Sequence, residues 1–208
     1  MKTQSKQEEW FNAVSHGFGA FLGLIGLFLL VLKVKQETPY ALASVLIYGV
    51  SIVILFSAST IYHSVTNHDL KLKFRILDHI SIYLLIAGTY TPVLLILLTD
   101  SLGWPLFWAV WGITAFGVIM KIFFTGKFEI LSTALYLVMG WLIILDFDSL
   151  SYLLHTNGLY LLYAGGVFYT VGIIFYVVHQ IPYNHVIWHF FVLFGALSHF
   201  LMVYFYVV

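Results

Sequence analysis

The amino-acid sequence predicts an all-α integral membrane protein that folds as a bundle of seven transmembrane helices. Of its 208 residues, 62% are hydrophobic and only 9% are charged, whereas about a quarter of the residues in a typical soluble domain are charged. A transmembrane helix needs about 20 apolar residues, so seven spans use most of the chain. We therefore expect residues 1–208 to form one membrane domain, in which any chemistry uses side chains on or between helices.

Seven apolar runs justify the helices in order. They cover residues 13–32, 41–62, 76–98, 105–124, 130–145, 158–178 and 186–208. Short polar segments with Pro, Gly, Asn or Asp separate most of them, as at residues 38–39, 100–103, 125–127, 156–158 and 181–182. The first run lacks an early small-residue cleavage site, which favours a retained span over a signal peptide. The fifth run is the shortest.

The positive charges predict the orientation of the bundle. Seven Lys and Arg residues fall on the N-terminal side of a seven-span topology, and only Lys33 and Lys35 fall on the other side. Because Lys and Arg in short loops stay on the cytoplasmic side, the N-terminus is predicted in the cytosol and the C-terminus outside. The predicted location is the cell membrane, with lipid as the environment.

Composition also excludes several classes of chemistry. The chain has no cysteine, which excludes disulfides, thiolate metal sites and a cysteine nucleophile. Its formal net charge is zero, so no nucleic-acid partner is indicated. The nine histidines are the unusual feature, since they equal the carboxylates in number. The sequence does not set the oligomeric state.

Polar residues from four separate runs are predicted at the inner membrane face. They begin the first, third and seventh runs and end the second, and they are Glu9, Asn12, His16, Ser59, His63, Asp78, His185 and His189. Ionisable residues within a membrane are costly and mark functional sites by default. This shared depth is the main indication of a site.

The histidine spacing predicts a metal site. His185 and His189 are four residues apart, so one helix face offers both imidazoles to one ion, and His63 supplies a third. Asp78 is expected to bind directly or through a metal-bound water. Three protein ligands plus water form the catalytic zinc arrangement, and the same ligand set also suits Fe, Mn or Co. The alternatives are histidines that only join helices, an Asp78 that caps its helix and a Ser59 that packs.

The remaining polar residues are not assigned a function. His68, His155 and His179 are predicted in solvated loops, and Asp146 is likewise expected in solvent. His199 lies at mid-membrane depth, where a hydrogen bond to another helix is favoured over metal binding.

Four motifs in register resemble the progestin and adipoQ receptor family. They are Glu9-x2-Asn12-x3-His16, Ser59-x3-His63, Leu77-Asp78 leading to Gly88-Thr89-Tyr90-Thr91-Pro92, and His185-x3-His189. The short length and the stretch Ile181-Pro182-Tyr183-Asn184-His185 are similar to its bacterial hemolysin III branch, within a wider superfamily that includes alkaline ceramidases. The resemblance implies zinc near the cytosolic face on His63, His185 and His189, with Asp78 linked through a metal-bound water.

These observations lead to a hypothesis of metal-assisted hydrolysis of a lipid amide or ester. Asp78 is the expected general base, and Ser59 holds the water or the developing oxyanion. Glu9, Asn12 and His16 are expected to support the ligands, because metal-bound histidines usually donate their other N–H to a nearby acceptor. Two alternatives stay open: a pore-forming cytolysin, and a ligand sensor whose metal is structural.

Overall fold

Seven helical spans form the bundle in the computed structural model, which describes residues 4–35 and 37–208. The first four spans begin with the helices α1 (Lys6–Lys33), α2 (Ala41–Ser64), α3 (His68–Pro92) and α4 (Gly103–Phe124). The last three contain α5 (Glu129–Trp141), α6 (Phe147–Leu153), α7 (Thr156–Val177) and α8 (Asn184–Met202). The described residues contain no β-strand, so the all-α prediction is confirmed.

Two helices begin earlier than the apolar runs predicted, because polar side chains cap them. Ser5 and Glu8 form a capping box, in which the Ser5 amide donates to the Glu8 carboxylate over 2.7 Å and the Glu8 amide donates to the Ser5 hydroxyl over 3.2 Å. Asn67 caps α3, since its side-chain oxygen accepts from the Leu70 amide at 3.1 Å. Such caps satisfy amides at the first turn that lack helical partners. Polar residues that hydropathy leaves out of the spans therefore belong to the helices.

The fifth span is longer than predicted and is not the shortest. It runs from Glu129 to Leu153, through α5, a 3₁₀ segment at Leu142–Asp146 and α6. Asp146 is buried rather than solvated, because its Oδ2 accepts from the Ser101 hydroxyl at 2.6 Å and the Leu102 amide at 2.9 Å. Because the segment that joins the third and fourth spans supplies hydrogen bonds to this carboxylate, the chain continues as a helix past Asp146.

The third and seventh spans end in π-helical turns. These turns cover Val93–Leu97 after α3 and Val203–Val207 after α8. Pro92 precedes the first of them and has no amide hydrogen, which helps to loosen the regular α-helical bonding there. Each span still reaches the length that a bilayer requires.

Packing brings the site-bearing helix ends to one face of the bundle. Helix α1 packs against both α2 and α8, α2 packs against α3, and α7 packs against α8. The core includes Tyr48 and Tyr83, which are fully buried. Because α1, α3 and α8 begin at the face where α2 ends, residues far apart in sequence meet there.

Close helix packing predicts a stability difference between two glycines of α4. A Cβ on Gly117 would lie 2.4 Å from the buried Tyr83 ring, whereas a Cβ on Gly112 would meet nothing within 4 Å. We expect Gly117→Ala to lower the free energy of unfolding by about 1–3 kcal/mol because the core is overpacked. Thermal unfolding in detergent measures this, with Gly112→Ala as the matched control. Equal stability of the two variants would contradict the packing described.

Candidate metal centre

Three imidazoles from two helices form a compact group at one face of the bundle. His63 lies in the last turn of α2, while His185 and His189 lie in the first two turns of α8. One ring nitrogen of each lies within 4.8 Å of the others. His63 and His189 are buried and His185 is half-buried. The spacing of four residues on α8 places both rings toward His63, so the three side chains could hold one metal ion.

Glu9 orients the His63 ring. The Nδ1 of His63 lies 2.7 Å from Glu9 Oε2, which accepts its hydrogen, and the other Glu9 oxygen lies 2.9 Å from Lys71 Nζ. With Nδ1 donating, the Nε2 of a neutral imidazole carries the lone pair. This Nε2 is buried and has no hydrogen-bond partner among the described residues. A buried, unpartnered lone pair facing two other imidazoles fits a metal ligand.

Ser15 is placed to orient the His189 ring as Glu9 orients the His63 ring, with Nδ1 as the donor. Its hydroxyl donates to the Asn12 carbonyl at 3.0 Å and lies 3.4 Å from His189 Nδ1, which can donate to it. The Nε2 of His189 is then the acceptor. Sequence reasoning named Asn12 and missed Ser15, whose only available signal was its position one turn after Asn12 on α1.

The structure places Asn12 and His16 beside the histidine group in different ways. The Asn12 side chain is buried and donates to Gln4 Oε1 at 2.8 Å. The His16 ring stacks on His189, with centroids 3.6 Å apart and an angle of 10° between the planes. His16 therefore contacts a candidate ligand through its ring face, while both of its ring nitrogens are buried without partners among the described residues.

Asp78 and Ser59 lie together beside the group. Their side chains both line the main cavity of the bundle. The compact set of candidate ligands contains the three histidines but not Asp78. Asp78 therefore lies beside the histidine group rather than within it.

A second polar cluster, centred on Glu129, was missed by sequence reasoning. Glu129 accepts from Arg75 Nη2 at 3.1 Å, from Lys121 Nζ at 2.8 Å and from the Gly126 amide at 3.0 Å. The bonds link α3, α4 and α5 and pair one carboxylate with two cations, Arg75 and Lys121, whose charges had served only to predict the orientation of the bundle. His79 lies at the edge of this cluster, with its Nδ1 3.8 Å from Glu129 Oε2.

The other histidines lie away from the group. His68 is exposed at the first residue of α3, not in a loop as predicted, and His179 is exposed between α7 and α8. His155 caps α7 by accepting from the Asn157 amide at 3.1 Å. His199 makes the predicted contact with another helix, since its Nε2 lies 3.4 Å from the Leu162 carbonyl of α7.

A long cavity of about 660 Å³ runs from the histidine group through the bundle. His185, His189, Ser59 and Asp78 line one end, and Met202 lies near the other. The 17 residues from His185 to Met202 correspond to about 25 Å along α8, most of the hydrocarbon thickness of a bilayer. Side chains from α3, α5, α7 and α8 make the wall mainly apolar.

The amino-acid sequence is similar to known proteins of one family. The model of a family described as "Haemolysin-III related" matches residues 4–200. The chain is 46% identical to "Hemolysin-3" of Bacillus cereus, over 99% of this chain and 94% of the relative. It is 44% identical to "Hemolysin-3 homolog" of Bacillus subtilis, over 97% of this chain and 95% of the relative. The human "Monocyte to macrophage differentiation factor" is 32% identical to it, over 74% of this chain and 66% of the relative. With its seven spans, the chain is a multi-pass bacterial membrane protein.

The histidine group predicts stoichiometric metal binding. Purified protein is expected to retain about one zinc ion per chain, since a group of three imidazoles suits this ion. His63→Ala, His185→Ala and His189→Ala are each expected to lose it, as measured by elemental analysis after dialysis. His68→Ala, at an exposed histidine, is the control and should retain it. Wild-type protein free of metal after zinc loading would refute the prediction.

The contact between Glu9 and His63 predicts that a substitution of Glu9 weakens metal binding less than removal of a histidine does. Glu9→Gln keeps a hydrogen-bond acceptor beside His63 Nδ1 but removes the charge, so the zinc Kd is expected to rise by about 10- to 100-fold. Competition with a chelator measures the Kd, and Glu37→Gln, at an exposed residue, is the matched control. An unchanged Kd for Glu9→Gln would show that this carboxylate does not act on the ligand.

Proposed function

This chain belongs to the haemolysin-III-related family, and we propose that it is a metal-dependent hydrolase of an amide or ester bond in a membrane lipid. One observation carries the proposal: two of the three grouped imidazoles line the end of a long apolar cavity whose wall also includes Asp78 and Ser59. Polar groups at one end and about 25 Å of apolar wall beyond them match a lipid with a polar linkage and a long acyl chain.

The ligand set suits zinc. His63, His185 and His189 would hold the ion through their Nε2 or Nδ1 lone pairs, with Glu9 and Ser15 occupying the second nitrogens of two rings. Three protein ligands leave one position open, which is the arrangement of catalytic sites. When bound, zinc supplies a Lewis acid that polarises the substrate carbonyl and makes the attacking water more acidic.

Asp78 and Ser59 would manage the proton and the developing charge. The Asp78 carboxylate is the general base, because it lies beside the histidine group without belonging to it. It would take a proton from the attacking water and return it to the amine or alkoxide that leaves. The Ser59 hydroxyl, which lines the same cavity as Asp78, would position that carboxylate or donate to the oxyanion of the substrate.

The charge distribution supports a site near the cytosolic face. The histidine group lies where α2 ends and α3 and α8 begin, on the side that carries Lys71, Lys73 and Arg75. The same residues support an N-terminus in the cytosol. The substrate would then be a lipid whose linkage lies at the inner leaflet, within one membrane domain formed by residues 1–208.

An ion-conducting pore fits the cavity less well. Channels line their pathways with polar groups that replace the hydration of an ion, whereas this wall is mainly apolar along its length. The names of the two Bacillus relatives refer to haemolysis. Lipid cleavage would account for such an effect without a pore, because the products disturb the bilayer.

Substitution of Asp78 separates chemistry from metal binding. Asp78→Asn is expected to lower turnover by at least about 100-fold while zinc stays bound, because the amide cannot accept the proton. Release of a labelled acyl chain from a ceramide and from an acyl ester, in detergent micelles, measures the turnover. Asp100→Asn, at an exposed carboxylate, is the matched control.

Two results would overturn the hydrolase assignment. One is zinc-loaded wild-type protein that releases no acyl chain from either probe. The other is an Asp78→Asn variant that turns over as fast as the wild type, since the site would then lack its general base.

A further inference from the structure

Two of the polar side chains that line the cavity contact each other at mid-membrane depth. They are His199 of α8 and Tyr169 of α7, whose ring centroids lie 5.6 Å apart, and both line the cavity. His199 Nδ1 and the Tyr169 hydroxyl are buried, and neither has a hydrogen-bond partner among the described residues. Buried polar atoms are nearly always hydrogen-bonded in native proteins, so this pair requires an explanation.

The contact with α7 defines what His199 can offer. Its Nε2 lies 3.4 Å from the Leu162 carbonyl, which can only accept, so this nitrogen carries the hydrogen. Gly165 permits the approach, because a Cβ there would lie 2.3 Å from that same Nε2. The Nδ1 therefore presents a lone pair and needs a donor.

The pair lies at a defined distance from the histidine group. His199 is ten residues beyond His189 on α8, which corresponds to about 15 Å along the helix. An extended hydrocarbon chain advances about 1.25 Å per carbon, given C–C bonds of about 1.5 Å. A lipid whose acyl linkage is at the histidine group would thus place roughly its twelfth carbon beside His199 and Tyr169.

We propose that the cavity selects acyl chains that carry a hydroxyl near the twelfth carbon, recognised by His199 and Tyr169. The hydroxyl hydrogen is donated to His199 Nδ1, and the hydroxyl oxygen accepts from the Tyr169 hydroxyl. A ketone satisfies only Tyr169, because it has no hydrogen to donate to His199. This inference rests on the proposed function for the position of the linkage, and it names the substrate class of the same site.

Competition binding with free fatty acids tests the selection without turnover. The probes are 12-hydroxyoctadecanoic, 12-oxooctadecanoic and octadecanoic acids, which displace a fluorescent fatty acid from the purified full-length protein in nanodiscs. The hydroxy acid is expected to bind about tenfold more tightly than octadecanoic acid, as two net hydrogen bonds would allow. The oxo acid is expected to bind between the two.

Variants assign the preference to the two residues. Tyr169→Phe and His199→Phe are each expected to reduce the preference for the hydroxy acid over octadecanoic acid at least threefold, and thermal unfolding in detergent controls for folding. Tyr163→Phe, at another cavity-lining tyrosine of α7, is the matched control and keeps the preference. Equal binding of the hydroxy and unsubstituted acids overturns the inference, as does no binding of either acid. A preference that survives both variants, or an oxo acid that binds as tightly as the hydroxy acid, also overturns it.

The outcome is separable from that of the hydrolase assignment. Free acids contain no bond to hydrolyse, so a preference for the hydroxy acid can be present in a protein that releases no acyl chain. Conversely, hydrolysis of hydroxylated and unsubstituted acyl lipids with equal affinity and rate would leave the hydrolase in place and remove the selection.

Discussion

The carboxylate of Glu9 is the contact on which the candidate site depends. It accepts from His63 of α2 and pairs with Lys71 of α3, so one side chain of α1 joins three helices at one face. In a medium of low polarity an unpaired charge is costly, which makes this arrangement hard to alter by single changes. The same bond leaves His63 Nε2 as the lone pair directed at His185 and His189. The same Glu9 contacts therefore join the three helices and orient the His63 ring.

The bilayer explains why polar groups concentrate in so few places. Outside the clusters at Glu9 and Glu129, the helices present mainly apolar side chains to the lipid and to each other. The Glu9 and Glu129 carboxylates are each matched by cations from other helices, at positions where several helices end. The histidine group adds rings whose lone pairs have no such match. This difference separates polar groups that hold the bundle together from those available for chemistry.

The sequence predicts the fold better than the details of the site. Seven spans follow from apolar run lengths, and the meeting of His63 with His185 and His189 follows from helix direction and a spacing of four. The buried Asp146 and the Ser15 contact were not predictable, because each depends on how one helix is rotated against another. The cavity was also missed, since it forms between α3, α5, α7 and α8 and no single run of sequence reports it. Local periodicity defines which face of a helix is polar, whereas tertiary packing decides what that face contacts.

The placement of the three histidines is the reason for proposing a catalytic metal rather than a purely structural one. An ion held by His63 and α8 would link α2 to α8 across α1, which packs against both, so it would stabilise the bundle in either role. A structural site closes its coordination with four protein ligands, whereas this group has three and the nearby Asp78 stands outside it. A purely structural site would also not require a cavity that extends from it through most of the bilayer. The proposed hydrolase gives the three-histidine group, the adjacent carboxylate and the apolar cavity one common role, because each would be used when a lipid linkage reaches a bound ion.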